Sequence, residues 1–344
     1  MAHYPGHKGG FSSGRSGAAQ RSFKRSVSKA RSRGIDTRSL AQKNEALENQ
    51  QKKNREQAQG SDDNRSAYLI KQATQPIIDR NNSHVPLTYF NIVKLKKAER
   101  FSYSVEDYES CVVPATGTID LLVGDRVIEK VGRRNNNVWD EEPEGVYVPT
   151  GQTGEIICLS DKCEVFIAGA KFEQTLEPFV IRPDDIDLVQ YGSDDTKTHR
   201  KIKHILGQKQ VGKVGRLLVS ELYTVGQGGW SGFPPHKHDT NRSPDETKHD
   251  EVYNFRFKPK NGFGMQLLQS ENSSTGEAFH ITDSSSFVIP AGYHPCVVAP
   301  GYEMYYFTIL AGLSQRPLVQ YFQPEHAWQI ETIPGIKDMI AKFK

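Results

Sequence analysis

The chain has 344 residues, 36% of them hydrophobic and 25% charged, with a formal net charge of +3. That length suits two compact domains, or one doubled domain, with extensions. No apolar run is long enough to cross a bilayer and no secretory stretch follows Met1, which excludes a helical membrane protein. The four cysteines, Cys111, Cys158, Cys163 and Cys296, show no CxxC spacing. A cysteine zinc cluster or disulfide scaffold is therefore not expected, and a reducing, cytoplasmic setting is.

Charge is uneven along the chain. Residues 1–59 hold 13 Lys/Arg against 4 Asp/Glu, and the remainder is mildly acidic. Residues 1–34 contain eight Lys/Arg, six Gly, seven Ser and no acid, too little apolar surface to offset the entropy of ordering. Residues 1–60 are expected to form a disordered or extended basic arm with a short, marginal helix over 36–58. Three readings fit the arm. It is a solvated tail, a tether to nucleic acid or an assembly partner through Lys24, Arg25, Lys29, Arg31 and Arg33, or an organellar transit peptide.

From residue 86 the pattern changes to short β-rich runs broken by Gly, Pro, Asn and Asp. Strands are expected over 88–95, 110–113, 118–123, 145–148, 155–159 and 164–169. A polar connection is expected near 182–200. A second set follows over 215–224, 251–257, 263–269, 278–281, 286–290 and 302–310. The spacing predicts an all-β protein of two tandem barrels, over 61–198 and 199–330, closed by a C-terminal helix within 331–344.

The densest polar constellation is Pro234-Pro235-His236-Lys237-His238-Asp239, and Glu251 opens a strand 13 residues after His238. On an extended strand His236 and His238 point the same way and Lys237 points away. His294 follows in a Pro-Ala-Gly-Tyr-His turn. Three imidazoles and a carboxylate make a site for one divalent ion, with zinc, manganese and iron as candidates. Glu246 and His249 lie in the intervening loop as rival ligands. Glu251 is preferred because it starts an apolar strand, with Tyr253 and Phe255 on its face and Arg256 on the other. No comparable cluster occurs over 60–198, so the first barrel is expected to be metal-free.

These elements resemble the cupin fold. The longer strings Trp230–Asp239 (WSGFPPHKHD), Asp250–Tyr253 (DEVY), Gly262–Gly264 (GFG), Pro290–Pro295 (PAGYHP), Ala299–Tyr302 (APGY) and Pro324–Trp328 (PEHAW) resemble the 5-deoxy-glucuronate isomerase family of myo-inositol catabolism. Its relative in pectin breakdown, 4-deoxy-L-threo-5-hexosulose-uronate ketol-isomerase, shares the HxH, Glu-Val-Tyr and Gly-Tyr-His elements. The resemblance implies a bicupin of two jelly-roll barrels with the metal in the C-terminal one, held by His236, His238, Glu251 and His294. It departs from the family in the first 60 or so residues and in Leu267-Leu268-Gln269, where the family strand carries an arginine.

The implied reaction is an aldose–ketose isomerisation of 5-deoxy-D-glucuronate to 5-dehydro-2-deoxy-D-gluconate. A metal chelating neighbouring sugar oxygens stabilises an enediolate while a base moves a proton between C2 and C1. Tyr253, Tyr293, Gln266 and Tyr306 are candidate catalytic residues by their nearness to motif positions. The parity of 302–310 stays open: Tyr305, Phe307 and Ile309 facing the core, or Tyr306 and Thr308 facing the site. Arg200, Lys258 and Arg316 are candidate partners for the sugar carboxylate. Sheet edges point to a homo-oligomer. The alternative is a bicupin recruited through its basic arm as an assembly protein, for instance in a virus particle or nucleoprotein complex. A third reading puts iron on the same ligands in a dioxygenase.

Overall fold

The structure is a computed structural model that describes residues 69–70 and 76–342. The basic arm, its helix and its tether or transit roles lie outside the described residues.

Antiparallel sheets account for nearly all of the regular structure of the described chain. The first half forms a five-stranded sheet in the order Phe179–Ile181, Gly145–Val148, Tyr108–Thr116, Lys162–Lys171, Thr88–Lys96. Facing it is a four-stranded sheet of Arg100–Tyr103, Gly154–Cys158, Ile119–Val123 and Arg126–Val131. The second half forms a seven-stranded sheet in the order Leu69–Ile70, Ser286–Ile289, His249–Lys258, Glu303–Gly312, Leu217–Thr224, Arg200–Leu206, Asp187–Tyr191. Its companion is a four-stranded sheet of Trp230–Ser231, Cys296–Val298, Phe263–Leu268 and Glu277–Thr282. His236–Lys237 pairs with Tyr321–Phe322 as a separate ribbon.

Strand periodicity places the cores. Val165 and Ile167 face the four-stranded sheet of the first half, with Val112, Leu121 and Ile156. Phe166 and Ala168, on the opposite face of that strand, pack with Phe90, Tyr305, Phe307 and Ile309. The five- and seven-stranded sheets are therefore packed face to face. Phe166 and Phe307 lie 4.8 Å apart between ring centroids. The other face of the seven-stranded sheet carries Tyr253, Phe255, Phe257 and Tyr306, packed on Phe279, Ile281 and Cys296. All four cysteines are buried and free.

The all-β expectation holds, and all twelve expected strands are present. Two expectations change. The segment 182–200 is not merely a connection, because Asp187–Tyr191 pairs with Arg200–Leu206. Sheet membership therefore changes between Ile181 and Asp187, ahead of residue 198. This edge strand buries Val189 and Tyr191 and leaves Leu188 exposed, an alternation masked by its acidic flanks. The C-terminal helix is only Ile336–Ala341, because Gly335 at φ +73° interrupts any earlier helical start. It packs Ile336 and Met339 against Tyr191 and Ile202.

Candidate metal centre

Glu251 sits in the middle of the seven-stranded sheet, opposite Ile289 on one side and Leu310 on the other. Its side chain faces the interior shared by Tyr253 and Phe255. His238 and His294 reach it from loops. Glu251 Oε2 lies 3.0 Å from His238 Nε2 and 3.2 Å from His294 Nε2. One donor atom from each of the three lies within 4.8 Å of the others.

His236 stands beside this group, its ring 5.0 Å from that of His294. Its Nε2 accepts from the Gln320 amide at 3.0 Å. The three imidazoles share one orientation device. Nδ1–H donates to Pro234 O in His236 (3.2 Å), to His249 O in His238 (3.1 Å) and to Gly292 O in His294 (2.8 Å). Each Nε2 is thereby set as a lone-pair donor, the tautomer a metal ligand needs. His294 Nε2 is buried with no hydrogen bond of its own. Glu251 Oε1 is fixed by the Thr308 hydroxyl at 2.8 Å. This donor set fits a divalent ion.

Electrostatics agree. Burial alone would raise the Glu251 carboxyl, but the neighbouring His238 and His294 hold it well below the usual range. Burial, together with His294 and His238, pushes His236 down to about 3, so it is neutral. Burial would also lower His238, and Glu251 outweighs it.

The rival ligands have other work. Glu246 accepts from Lys237 Nζ at 2.9 Å, from Arg242 at 2.6 Å and from the Asp239 amide at 2.8 Å. His249 donates Nε2–H to Arg316 O at 3.1 Å. Lys237 does point away from the histidines, yet it is fully buried, caged by Asp239, Glu246 and Glu271.

The cavity over Glu251 is small, about 40 Å³. Tyr253, Tyr306 and Thr308 line it with His236 and His238, which resolves the parity of the last strand in favour of Tyr306. Tyr305 turns the other way and donates to Glu221 at 3.0 Å. Gln266 and Tyr293 are not in its lining. Gln266 is fully buried and points its amide at His294 O, 2.7 Å away. Tyr293 lines a neighbouring cavity of about 260 Å³ with Trp230, Phe233 and His326. Among the candidate cations, Lys258 is exposed in a different cleft. Arg316 is tied to Leu217 O and Gly207 O, and burial lowers it to about 10. Arg200 lies against Tyr306, with Nη2 at 3.4 Å from its hydroxyl.

Sequence reasoning missed Gln320, Phe322 and Met339, which also line the cavity. They arrive from beyond the last long strand, and only the short ribbon of Tyr321–Phe322 with His236–Lys237 marks their approach.

The KduI/IolB family model matches residues 65–329. A 5-deoxy-glucuronate isomerase of Listeria monocytogenes is 30% identical over 257 residues, covering 74% of this chain and 92% of the relative. One of Bacillus subtilis is 29% identical over 255 residues, with the same coverage. Among solved structures, an IolB-like protein from Salmonella typhimurium superposes with a TM-score of 0.70 at 26% identity, covering 76% of this chain and 98% of that one. Lactobacillus farciminis oxalate decarboxylase, at 8% identity and a TM-score of 0.54, shares the fold; it covers 80% of this chain and 96% of its own.

Proposed function

The chain belongs to the KduI/IolB family, and on that premise we propose that it is a metal-dependent aldose–ketose isomerase. Its substrate is a deoxy-hexuronate, 5-deoxy-D-glucuronate, converted to 5-dehydro-2-deoxy-D-gluconate. The relatives named 5-deoxy-glucuronate isomerase supply the substrate class.

The observation that carries this reading is the convergence of His238 Nε2, His294 Nε2 and Glu251 Oε2, with each Nδ1–H already spent on a carbonyl. His236, His238, Glu251 and His294 would hold one divalent ion. When bound, the ion supplies a Lewis acid for the oxygens at C1 and C2. The chain's own residues do the rest. Thr308 holds the Glu251 carboxylate in place. Tyr253 and Tyr306 face the cavity, and burial raises both phenols above their ordinary range. Both therefore stay protonated at neutral pH and act as hydrogen-bond donors that orient sugar hydroxyls. The sheet and aromatic lining exclude water from the moving proton.

Exposed edge residues, Val127 on Arg126–Val131 and Leu188 on Asp187–Tyr191, fit association into a homo-oligomer, read by light scattering. The decisive experiment is proton NMR of the full-length protein with 5-deoxy-D-glucuronate, with and without chelator, beside metal analysis. Chelator-sensitive conversion to the keto acid is expected. A metal-replete protein that leaves the sugar unchanged would overturn the reading.

A further inference from the structure

Arg200 is a fully buried arginine without a carboxylate. It opens the strand Arg200–Leu206, so it shares a face with Ile202, which lines the Glu251 cavity. Register sets it opposite Tyr191 on one side and Thr224 on the other. Its Nε donates to Tyr223 O at 3.1 Å, and Nη2 points at the Tyr306 hydroxyl at 3.4 Å. Nη1 is buried with no hydrogen-bond partner. The Tyr306 hydroxyl in turn bonds the Ser231 hydroxyl. Tyr191 and Tyr306 both line the cavity, so the guanidinium lies directly behind its wall.

Most other buried cations among the described residues are neutralised; Arg316 is not, but it spends its guanidinium on the Leu217 and Gly207 carbonyls. Arg134 meets Glu221, Lys237 meets Glu246, and Arg256 meets Glu164. Burying a guanidinium without a counter-charge is costly, and a bound anion would offset that cost. Arginine is suited to this, because its planar fork grips a carboxylate through two parallel bonds.

We propose that Arg200 receives the carboxylate of the sugar acid held at the Glu251 centre, and so sets the preference for an acid over a neutral sugar. The Tyr306 hydroxyl stands beside it as a further donor to the same group. This rests on the isomerase reading for the identity of the sugar. At about 10–15 Å³ per water, a cavity of about 40 Å³ holds only a few waters. A sugar acid therefore enters by displacing Phe233, Gln320 and Phe322 over the centre, and its carboxylate meets Arg200 where the Tyr306 side chain turns aside.

The test compares 5-deoxy-D-glucuronate with 5-deoxy-D-glucose, which carries a hydroxymethyl group where the acid has its carboxylate. Arg200→Gln is expected to lower kcat/KM for the acid by about 100-fold or more, chiefly through KM. Metal content is expected to stay unchanged, and the ratio of kcat/KM for the acid to that for the neutral sugar is expected to collapse. A folded, metal-loaded Arg200→Gln that keeps the wild-type preference would overturn the proposal. A second measurement needs no variant. In wild-type protein labelled with 15N-arginine and carrying its metal, D-glucuronate should shift a buried guanidinium resonance that D-glucose leaves in place. Equal response to both sugars, or to neither at saturation, would also overturn it. If the wild type isomerises no sugar, the isomerase reading fails and the resonance shift still decides the role of Arg200.

Discussion

The Asp239 carboxylate accepts the backbone N–H of Gly292 at 2.7 Å, across 53 residues of sequence. Its other oxygen takes Lys237 Nζ at 2.8 Å. One side chain thereby ties the segment bearing His236 and His238 to the turn bearing His294. Burial alone would raise the Asp239 carboxyl, but Lys237, Thr240 and the Gly292 amide bring it down to about 2, so the link is ionised at any working pH.

Asp239→Ala should therefore loosen the centre without removing a ligand. Outer residues that orient ligands typically contribute about 10–100-fold in metal affinity. We expect a loss of that size by competition with a chromogenic chelator, with unchanged far-UV circular dichroism. Asp239→Asn should lie between, since its carbonyl still accepts from Gly292. Wild-type affinity in Asp239→Ala would mean that the two segments hold their places independently.

Thr308→Val isolates the support of Glu251. The change removes a hydroxyl that donates to Oε1 and keeps the shape. Metal affinity should again fall about 10–100-fold, while Thr308→Ser, which keeps the donor, should restore most of it. Equal behaviour of the valine and serine variants would assign Thr308 to packing alone.

The grouping of His238, Glu251 and His294 was legible because few residue types donate to metals and these stood at strand and turn positions. Alternation placed Glu251, Tyr253 and Phe255 on one face, as the cavity and the core bear out. Nearness in sequence misled where the chain turns. Tyr293 neighbours His294 yet faces the adjoining cavity, because Tyr293 is bridged to Gln269 in extended backbone and adjacent side chains there point to opposite faces. A Cβ at Gly292 would come within 2.7 Å of Gln269 O, which accounts for glycine there. Arg126–Val131 escaped notice because five of its six residues are not buried, so no apolar alternation marks it. Gln320 and Met339 carry no chemical mark, and only the tertiary fold brings them over the site.

Glu221 and Arg134 form a fully buried pair at 2.6 Å between the two face-packed sheet systems, with Tyr223 and Tyr305 donating to the same carboxylate. Removing one partner strands the other charge. Glu221→Gln should cost about 3–5 kcal/mol in urea unfolding. The folded fraction should keep wild-type turnover, since neither residue lines the metal cavity. The double change Arg134→Met with Glu221→Leu should recover much of the loss, because it buries no unpaired charge. A double variant as unstable as the single one would mean that the pair is needed for more than charge balance.

His204 gives the protein a pH-dependent stability away from the metal. It is buried, with Nδ1 at 2.8 Å from the Ser220 hydroxyl. Burial is the leading cause that brings it down to about 4; Asp187 opposes this, and Lys342 and Arg316 add to it. The unfolded side chain titrates near 6.5. Above that value both states are neutral and the stability is fully present. As the pH falls through the window from about 6.5 to 4, the unfolded chain binds a proton that the folded chain refuses, so stability declines. Below about 4 both states are protonated and the decline from this group ends. The unfolding free energy should thus fall by roughly 2 kcal/mol between pH 7.5 and 5 on account of His204 alone. His204→Asn cannot titrate, so its urea midpoint should change less over that range than that of the wild type. Parallel pH profiles for the two proteins would show that the imidazole is solvated in the folded state, contrary to its burial between the strands.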